Sequence, residues 1–199
     1  MSELFSMDLK NMGIHAVFVD YGGVMADFIS PSTIALSAQV SQVAPTEFES
    51  AMWESRADFD SGALQADDYW NSVLCACKSP VNTKDIRSLL FSLDTVGFSF
   101  VRPQMVRWIH EVHSMGIKTA LVSNMARQTY ENLVEHQSWT AWFDVLVISG
   151  ILGVNKPDEA IYRHALQRCE VKPEEVLFID DMRRNLDQAA SLGMQTFLM

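Results

Sequence analysis

Residues 16–23 read AVFVDYGG. Four apolar residues run without alternation into an aspartate, and a glycine pair follows. An unbroken apolar run of this length, closed by a glycine turn, is the pattern of a parallel strand buried on both faces. The pattern recurs further along. TALV at 119–122 leads into SNMA, VLVI at 145–148 into SGILG, and VLFI at 176–179 into DDMRR. QTFLM at 195–199 reads as a fifth strand.

Helical patterns lie between these runs. Residues 103–115 begin on a proline and stop before Gly116, as a helix with proline in its first turn does. Residues 158–169 carry Ile161, Tyr162, Ala165 and Leu166 at helical spacing, and 185–192 end at Gly193, a C-cap residue. Strands alternating with helices specify an α/β fold, a Rossmann-like doubly wound parallel sheet. Residues 26–100 break the alternation. They show no strand pattern, and they contain helix-like segments at 32–43, 45–56, 65–76 and 83–93. A connection of about 75 residues is far longer than a crossover requires. The expected organisation is therefore a catalytic core from 1–25 and 101–199, with an inserted α-helical cap subdomain over 26–100.

Composition narrows the function classes. The chain has 199 residues, 48% of them hydrophobic and 20% charged, enough for one core with one insertion. Lysine and arginine total 15 against 25 aspartate and glutamate, a formal charge of −10. Such a field repels nucleic acid and anionic lipid, so no nucleic-acid or membrane partner is expected. It also repels a phosphorylated ligand, so a phosphate site needs a metal or a lysine close by. The cysteines Cys75, Cys77 and Cys169 are odd in number and lack framework spacing. They read as free, buried thiols in a reducing cytoplasm. No basic segment followed by an apolar run opens the sequence, and no apolar stretch nears the ~20 residues of a membrane span.

Ligands of an open parallel sheet bind beyond the carboxyl ends of its strands. The turns there carry Asp20, Ser123 with Asn124, Lys156, and Asp180 with Asp181. Carboxylates, a hydroxyl and a lysine at one edge suit metal-assisted phosphoryl transfer, where positioning and charge stabilisation do most of the catalysis. A hard cation such as Mg²⁺ takes oxygen ligands, and Asp20 and Asp181 can provide them. Ser123 can donate to a phosphoryl oxygen, Lys156 can offset negative charge, and the Tyr21-Gly22-Gly23 turn can present N–H groups to an anion. The alternatives are structural: Ser123 capping the next helix, and Asp180 accepting from backbone N–H groups. Arg56 is the cap cation best suited to touch substrate, against a surface ion pair. Trp53, Phe59 or Trp70 can line the cap side of the crevice, while the other tryptophans read as packing. Arg183 and Arg184 read as flanking the site mouth, Asp27 as a hinge residue able to relay a proton, and His110 and His113 as a solvated helix face.

Taken together, VFVDYGGVM, LVSN, SGILGVNKPDEAIY and VLFIDDMRRNLDQAASLGM resemble, in order, the four motifs of the haloacid dehalogenase superfamily. The resemblance spans residues 16–199 and is to the branch with a helical cap after the first motif; SGALQADDYW is similar to a recurrent cap segment. It implies a hydrolase in which Asp20 attacks phosphorus of a small phosphorylated metabolite, such as a sugar phosphate, and forms an aspartyl-phosphate. Mg²⁺ would be held by Asp20, the carbonyl of Gly22 and Asp181, with Asp180 behind them and Asn185 positioning the fourth motif. Gly22, Gly23, Asn124 and Arg56 would contact substrate. One position departs from the pattern. Phosphatases of the superfamily carry a second aspartate two residues after the nucleophile as acid and base, and here that residue is Gly22. The rate contribution at stake is about 10²–10⁴-fold. Three readings follow: a phosphatase with another proton source or a leaving group that needs none, a metal-independent dehalogenase, or a binding or regulatory protein. The Asp180-Asp181 pair speaks against the second, because the dehalogenases of the superfamily lack it.

Overall fold

The computed structural model describes residues 2–5 and 7–199. Along the chain run α1 (Ser2–Phe5), β1 (Ala16–Val19), α2 (Pro31–Val40), α3 (Pro45–Glu54), α4 (Arg56–Asp60), α5 (Ala66–Ala76), α6 (Lys84–Gly97), α7 (Pro103–Ser114), β2 (Lys118–Ser123), α8 (Arg127–Leu133), β3 (Val145–Ile148), α9 (Ser149–Leu152), α10 (Glu159–Cys169), β4 (Val176–Asp180), α11 (Arg183–Ser191) and β5 (Gln195–Leu198). Short 3₁₀ turns occupy Ser138–Trp142 and Pro173–Glu175.

The strands form one parallel sheet in the order β3-β2-β1-β4-β5. β1 is central, and all its side chains are buried. Successive side chains point to opposite faces, so Val17 and Val19 enter one apolar layer with Leu121, Leu177 and Ile179. Ala16 and Phe18 enter the other with Ala120, Val122 and Phe178, under α10 and α11. Helices cover both faces, as a doubly wound sheet requires. β5, at the edge, alternates partly buried and exposed positions instead. Register fixes the functional edge: Val19 lies opposite Leu121 and Ile179, so Asp20, Ser123 and Asp180 leave the sheet at the same end.

Five helices, α2 to α6, intervene between β1 and α7 and pack on one another. Their interior is aromatic, with Phe59 stacked on Tyr69 at 4.5 Å and Phe48 on Trp70 at 6.2 Å. The chain enters and leaves this bundle through two adjacent crossings. Ala26 bridges Val101, the Asp27 N–H donates to the Phe100 carbonyl (2.9 Å), and the Arg102 N–H donates to the Met25 carbonyl (2.8 Å).

Local differences from the sequence expectations have physical causes. The single helix expected over 45–56 divides at Ser55, whose backbone leaves helical geometry (φ −106°, ψ 13°). α6 runs past 93 to Gly97, because that glycine lets the helix approach Ile29: an added Cβ would lie 2.7 Å from Ile29 Cγ1. SGILG, expected as a turn, coils into α9, and residues 127–133 form the unanticipated α8. Cys77 and Cys169 are buried but Cys75 is exposed, and all three thiols are free. Among the described residues no helix is long and apolar enough to cross a membrane.

Candidate active site

Asp20 follows β1 directly, its N–H held by the Ile179 carbonyl at 2.9 Å. Lys156 comes from the loop between α9 and α10. Asn124 sets its position: the Lys156 N–H donates to Asn124 Oδ1 (2.7 Å), and Asn124 Nδ2 donates to the Lys156 carbonyl (3.0 Å). The Lys156 side chain is almost wholly buried and ends between two carboxylates, 2.9 Å from Asp20 Oδ1 and 2.7 Å from Asp180 Oδ2. Asn124, expected to touch substrate, thus has its amide engaged with the lysine's backbone.

The adjacent aspartates have different surroundings. Asp180 is fully enclosed, and its oxygens accept from the Met182 N–H (2.8 Å), from Asn185 Nδ2 (2.9 and 3.2 Å) and from Lys156. Asp181 is partly exposed and lines the cleft. Gly23, expected to bind substrate, instead makes room for Asp181. It adopts φ +74°, and a Cβ there would lie 2.6 Å from Asp181 Cγ; its carbonyl accepts from Arg102 Nη1 at 2.6 Å. Only glycine tolerates that backbone and that approach together.

The electrostatics of this group are unbalanced. Burial pushes the Asp20 carboxyl up to about 7; the Lys156 ammonium pulls it down, and Asp180 and Asp181 push it further up. Burial, then Asp180, also raises Asp181. Burial opposes the charge on Lys156, but Asp20 and Asp180 outweigh it and hold the ammonium above the ordinary lysine range. Three carboxylates against one ammonium leave an excess of negative charge. One oxygen from each of Asp20, Asp180 and Asp181 lies within 4.8 Å of the others. Beside them Asn185 Oδ1 is buried without a hydrogen-bond partner, an acceptor suited to ordered water. This donor set fits a hydrated divalent cation with oxygen ligands, Mg²⁺ above all.

The group opens into a cleft of about 590 Å³ between the sheet edge and the helical segment. Asp20, Gly22, Ser123 and Lys156 line its floor. The Ser123 hydroxyl makes no hydrogen bond among the described residues, so it is free to donate there. Cap and core are tied across the cleft. Ser149 Oγ donates to the Asp60 carbonyl (2.6 Å), Asn155 Nδ2 to the Ala57 carbonyl (2.7 Å), and the Ala66 N–H to Gln128 Oε1 (2.9 Å).

Arg56 borders the cleft but is not a free cation. Its Nε donates to Asp60 (3.0 Å) and its Nη1 to Asp94 (2.9 Å), in a buried triad rather than a surface pair. Trp53 lines the cleft, whereas Phe59 and Trp70 lie buried inside the bundle. Phe28 and Phe98 also line it and were not anticipated; they flank the two chain crossings, and an aromatic beside each hinge was the signal available. Arg184 lines the cleft as well. Asp27 pairs with Arg102 (2.7 Å) away from the nucleophile, and His110 packs on the Trp142 ring at 4.1 Å.

Comparison with known proteins places this geometry. A family model described as haloacid dehalogenase-like hydrolase matches residues 14–193. The chain is 30% identical over 197 residues to acyl-CoA dehydrogenase family member 10 of Mus musculus, covering 91% of this chain and 17% of that protein. It therefore spans only a small part of that relative's length. It is 25% identical over 150 residues to a sesquiterpene phosphatase of Aspergillus oryzae, covering 75% of this chain and 72% of that protein. Among solved structures, a haloacid dehalogenase family enzyme of Bacteroides thetaiotaomicron, in complex with magnesium and inorganic phosphate, superposes with a TM-score of 0.70 at 16% identity over 93% of each chain. That likeness speaks for the fold.

Proposed function

The chain belongs to the haloacid dehalogenase-like hydrolases, and from that premise we propose that it is a Mg²⁺-dependent phosphohydrolase acting on a small phosphorylated metabolite through an aspartyl-phosphate. The observation that carries the proposal is the acidic group itself: Asp20, Asp180 and Asp181 within 4.8 Å, around a buried lysine, at the floor of a cleft. A phosphatase and a magnesium–phosphate complex among the similar proteins support the same class.

In this reading a carboxylate oxygen of Asp20 attacks phosphorus and the ester P–O bond breaks. The departing oxygen takes its proton from water, because Gly22 offers no side chain. A second water then adds at phosphorus, releasing inorganic phosphate and restoring Asp20. Lys156 favours the ionised nucleophile and offsets charge on the phosphoryl oxygens, while the Ser123 hydroxyl donates to one of them. Asn124 acts by fixing Lys156, and Asp180 by fixing both Lys156 and, with Asn185, the start of α11. Mg²⁺ would be held by Asp20, Asp181 and the Gly22 carbonyl, and when bound it supplies positive charge to neutralise the carboxylates and the phosphoryl group. Helices α2 to α6 act as a cap that excludes bulk water. A metal-independent attack on an organic halide would leave the acidic excess without purpose, which favours the phosphohydrolase.

The test is phosphate release from p-nitrophenyl phosphate. Release is expected with Mg²⁺ and not with a chelator, and Asp20→Asn is expected to lower it by at least ~10³-fold. Halide release from a 2-haloacid in the presence of chelator would overturn the reading.

A further inference from the structure

We infer that the substrate's leaving group is an unsaturated or aromatic hydrocarbon, held against a wall formed by Phe28, Trp53 and Phe98. The inference rests on the phosphohydrolase reading and names the class of ester this site takes. The wall begins at the nucleophile's own turn. A Cβ on Gly22, two residues after Asp20, would lie 3.8 Å from the Phe28 ring and 3.9 Å from Phe98. Phe98 meets Phe28 edge-on at 5.5 Å, and Phe28 stacks with Trp53 at 5.6 Å. All three rings line the cleft. Phe98 is buried, but Phe28 and Trp53 keep 50% and 36% of their surface exposed. A contiguous apolar surface of large rings, beginning beside the nucleophile, has the features of a ligand wall: broad, rigid area with little conformational entropy to lose.

The cap side is otherwise poorly suited to a polar leaving group. Its one cation near the wall, Arg56, is engaged by Asp60 and Asp94, so it is not free to pair with a second phosphate or a carboxylate on the substrate. The ring faces offer stacking to a sugar but no hydrogen bonds to its hydroxyls. The buried unpartnered polar atoms of the cleft, Thr129 Oγ1, Asn155 Oδ1 and Asn185 Oδ1, come from the core side. The chemistry agrees. Hydrolysis breaks the ester P–O bond, consumes one water, and releases inorganic phosphate and the hydrocarbon alcohol. With glycine at position 22 no side-chain acid protonates the departing oxygen, which suits an aryl oxygen and disfavours a sugar hydroxyl and a prenyl hydroxyl alike, so a prenyl ester would have to rely on the wall.

The experiment compares 1-naphthyl phosphate, geranyl monophosphate and glucose 6-phosphate with Mg²⁺, in the wild type and in Phe28→Ser and Trp53→Ser, both partly exposed positions whose folding is checked by thermal melting. At least one hydrocarbon ester is expected to exceed glucose 6-phosphate in kcat/KM by ~10²-fold, and each variant to lose on that ester ~10-fold or more beyond whatever it loses on glucose 6-phosphate. The naphthyl and geranyl arms separate an aromatic from a prenyl leaving group. Glucose 6-phosphate as the better substrate, or folded variants that change on no ester or on all three equally, would overturn the inference. If no ester is hydrolysed, the phosphohydrolase reading has failed on its own, and calorimetry still decides the wall. Binding of 1-naphthylmethylphosphonate ~10-fold tighter than methylphosphonate, and weakened by Trp53→Ser, would uphold it; equal affinities would sink it.

Discussion

Two buried charge clusters border the cleft, built from the same ingredients and left in different states. On the core side Lys156 stands between Asp20 and Asp180, with Asp181 beside them. On the cap side Arg56 stands between Asp60 and Asp94. Each holds more carboxylates than cations. The cap cluster edges the cleft through Arg56 and Asp60 but is closed on itself: Asp94 is 1% exposed, and the guanidinium lies 5.3–6.0 Å from the ring centroids of Trp53, Phe59, Tyr69 and Phe98. Its excess can be relieved by protonation as pH falls toward 6, since burial pushes Asp60 up to about 6, against Arg56 and with Asp94 adding to it. The core cluster is open through Asp181 and Asn185, and there a bound cation can provide the same relief. Composition makes both clusters acidic; access decides whether the acid excess is silenced or used.

Removing the cation of each cluster breaks the comparison most sharply. Lys156→Met and Arg56→Met both leave buried carboxylates unpaired, at a cost of about 3–5 kcal/mol each, or roughly 6–20 °C in Tm for a chain of this size. Mg²⁺ at a hundred times its Kd is expected to stabilise Arg56→Met by about 2.7 kcal/mol, as it does the wild type, because both keep the core site, and at the same concentration to stabilise Lys156→Met by more, because losing the ammonium strengthens cation binding there. Melting curves with and without Mg²⁺ read both effects. Equal stabilisation of the two variants would erase the distinction between an open and a closed cluster.

A smaller effect tests the closed cluster by pH. The folded state holds the Asp60 proton more tightly than the unfolded chain does, so this residue's contribution to stability is complete below about pH 4 and is lost as pH rises through about 6. Over that window the loss is at most about 3 kcal/mol, at ~1.4 kcal/mol per unit. Asp60→Asn has no such proton to lose, so its Tm should gain on the wild type between pH 4 and pH 7. A constant difference across that window would mean Asp60 stays ionised and the triad carries its full charge.

The sequence made the open cluster far more legible than the closed one. Asp20, Ser123, Asp180 and Asp181 each follow or end an apolar strand run, Lys156 lies in the loop after the short helix that follows another, and parallel register gathers strand ends at one edge. Which aspartate faces the cleft depends on Asn185 and Met182 one turn later, which no strand pattern encodes. The cap cluster joins Arg56 to Asp94 across 38 residues of helix, and helical periodicity shows which side of each helix is apolar but not which helices meet. Asn124 looked like a substrate ligand because it follows Ser123; its partner, the Lys156 backbone, lies in another loop. Gly22 and Gly23 looked alike in sequence, yet only Gly23 has positive φ, for the sake of Asp181.

That difference between the glycines sets the mildest test. Gly22 has no positive φ, and a Cβ there finds ordinary contacts at 3.8 and 3.9 Å, so Gly22→Asp can fold without backbone strain. The new carboxyl would join the open cluster while facing the Phe28 and Phe98 rings. An apolar neighbour and three nearby carboxylates both favour its protonated form, which is the form a proton donor needs. The variant is expected to raise kcat on phenyl phosphate about tenfold, with a smaller gain on p-nitrophenyl phosphate, whose leaving oxygen needs less help. The gap between the two esters is the informative reading, because a change in folding or in metal affinity would move both alike. A folded variant with no gain on either ester would mean that a proton donor already stands in the cleft. Asp60, on the far wall with its raised carboxyl, would then be the first group to test, and the closed cluster would have to be counted as open.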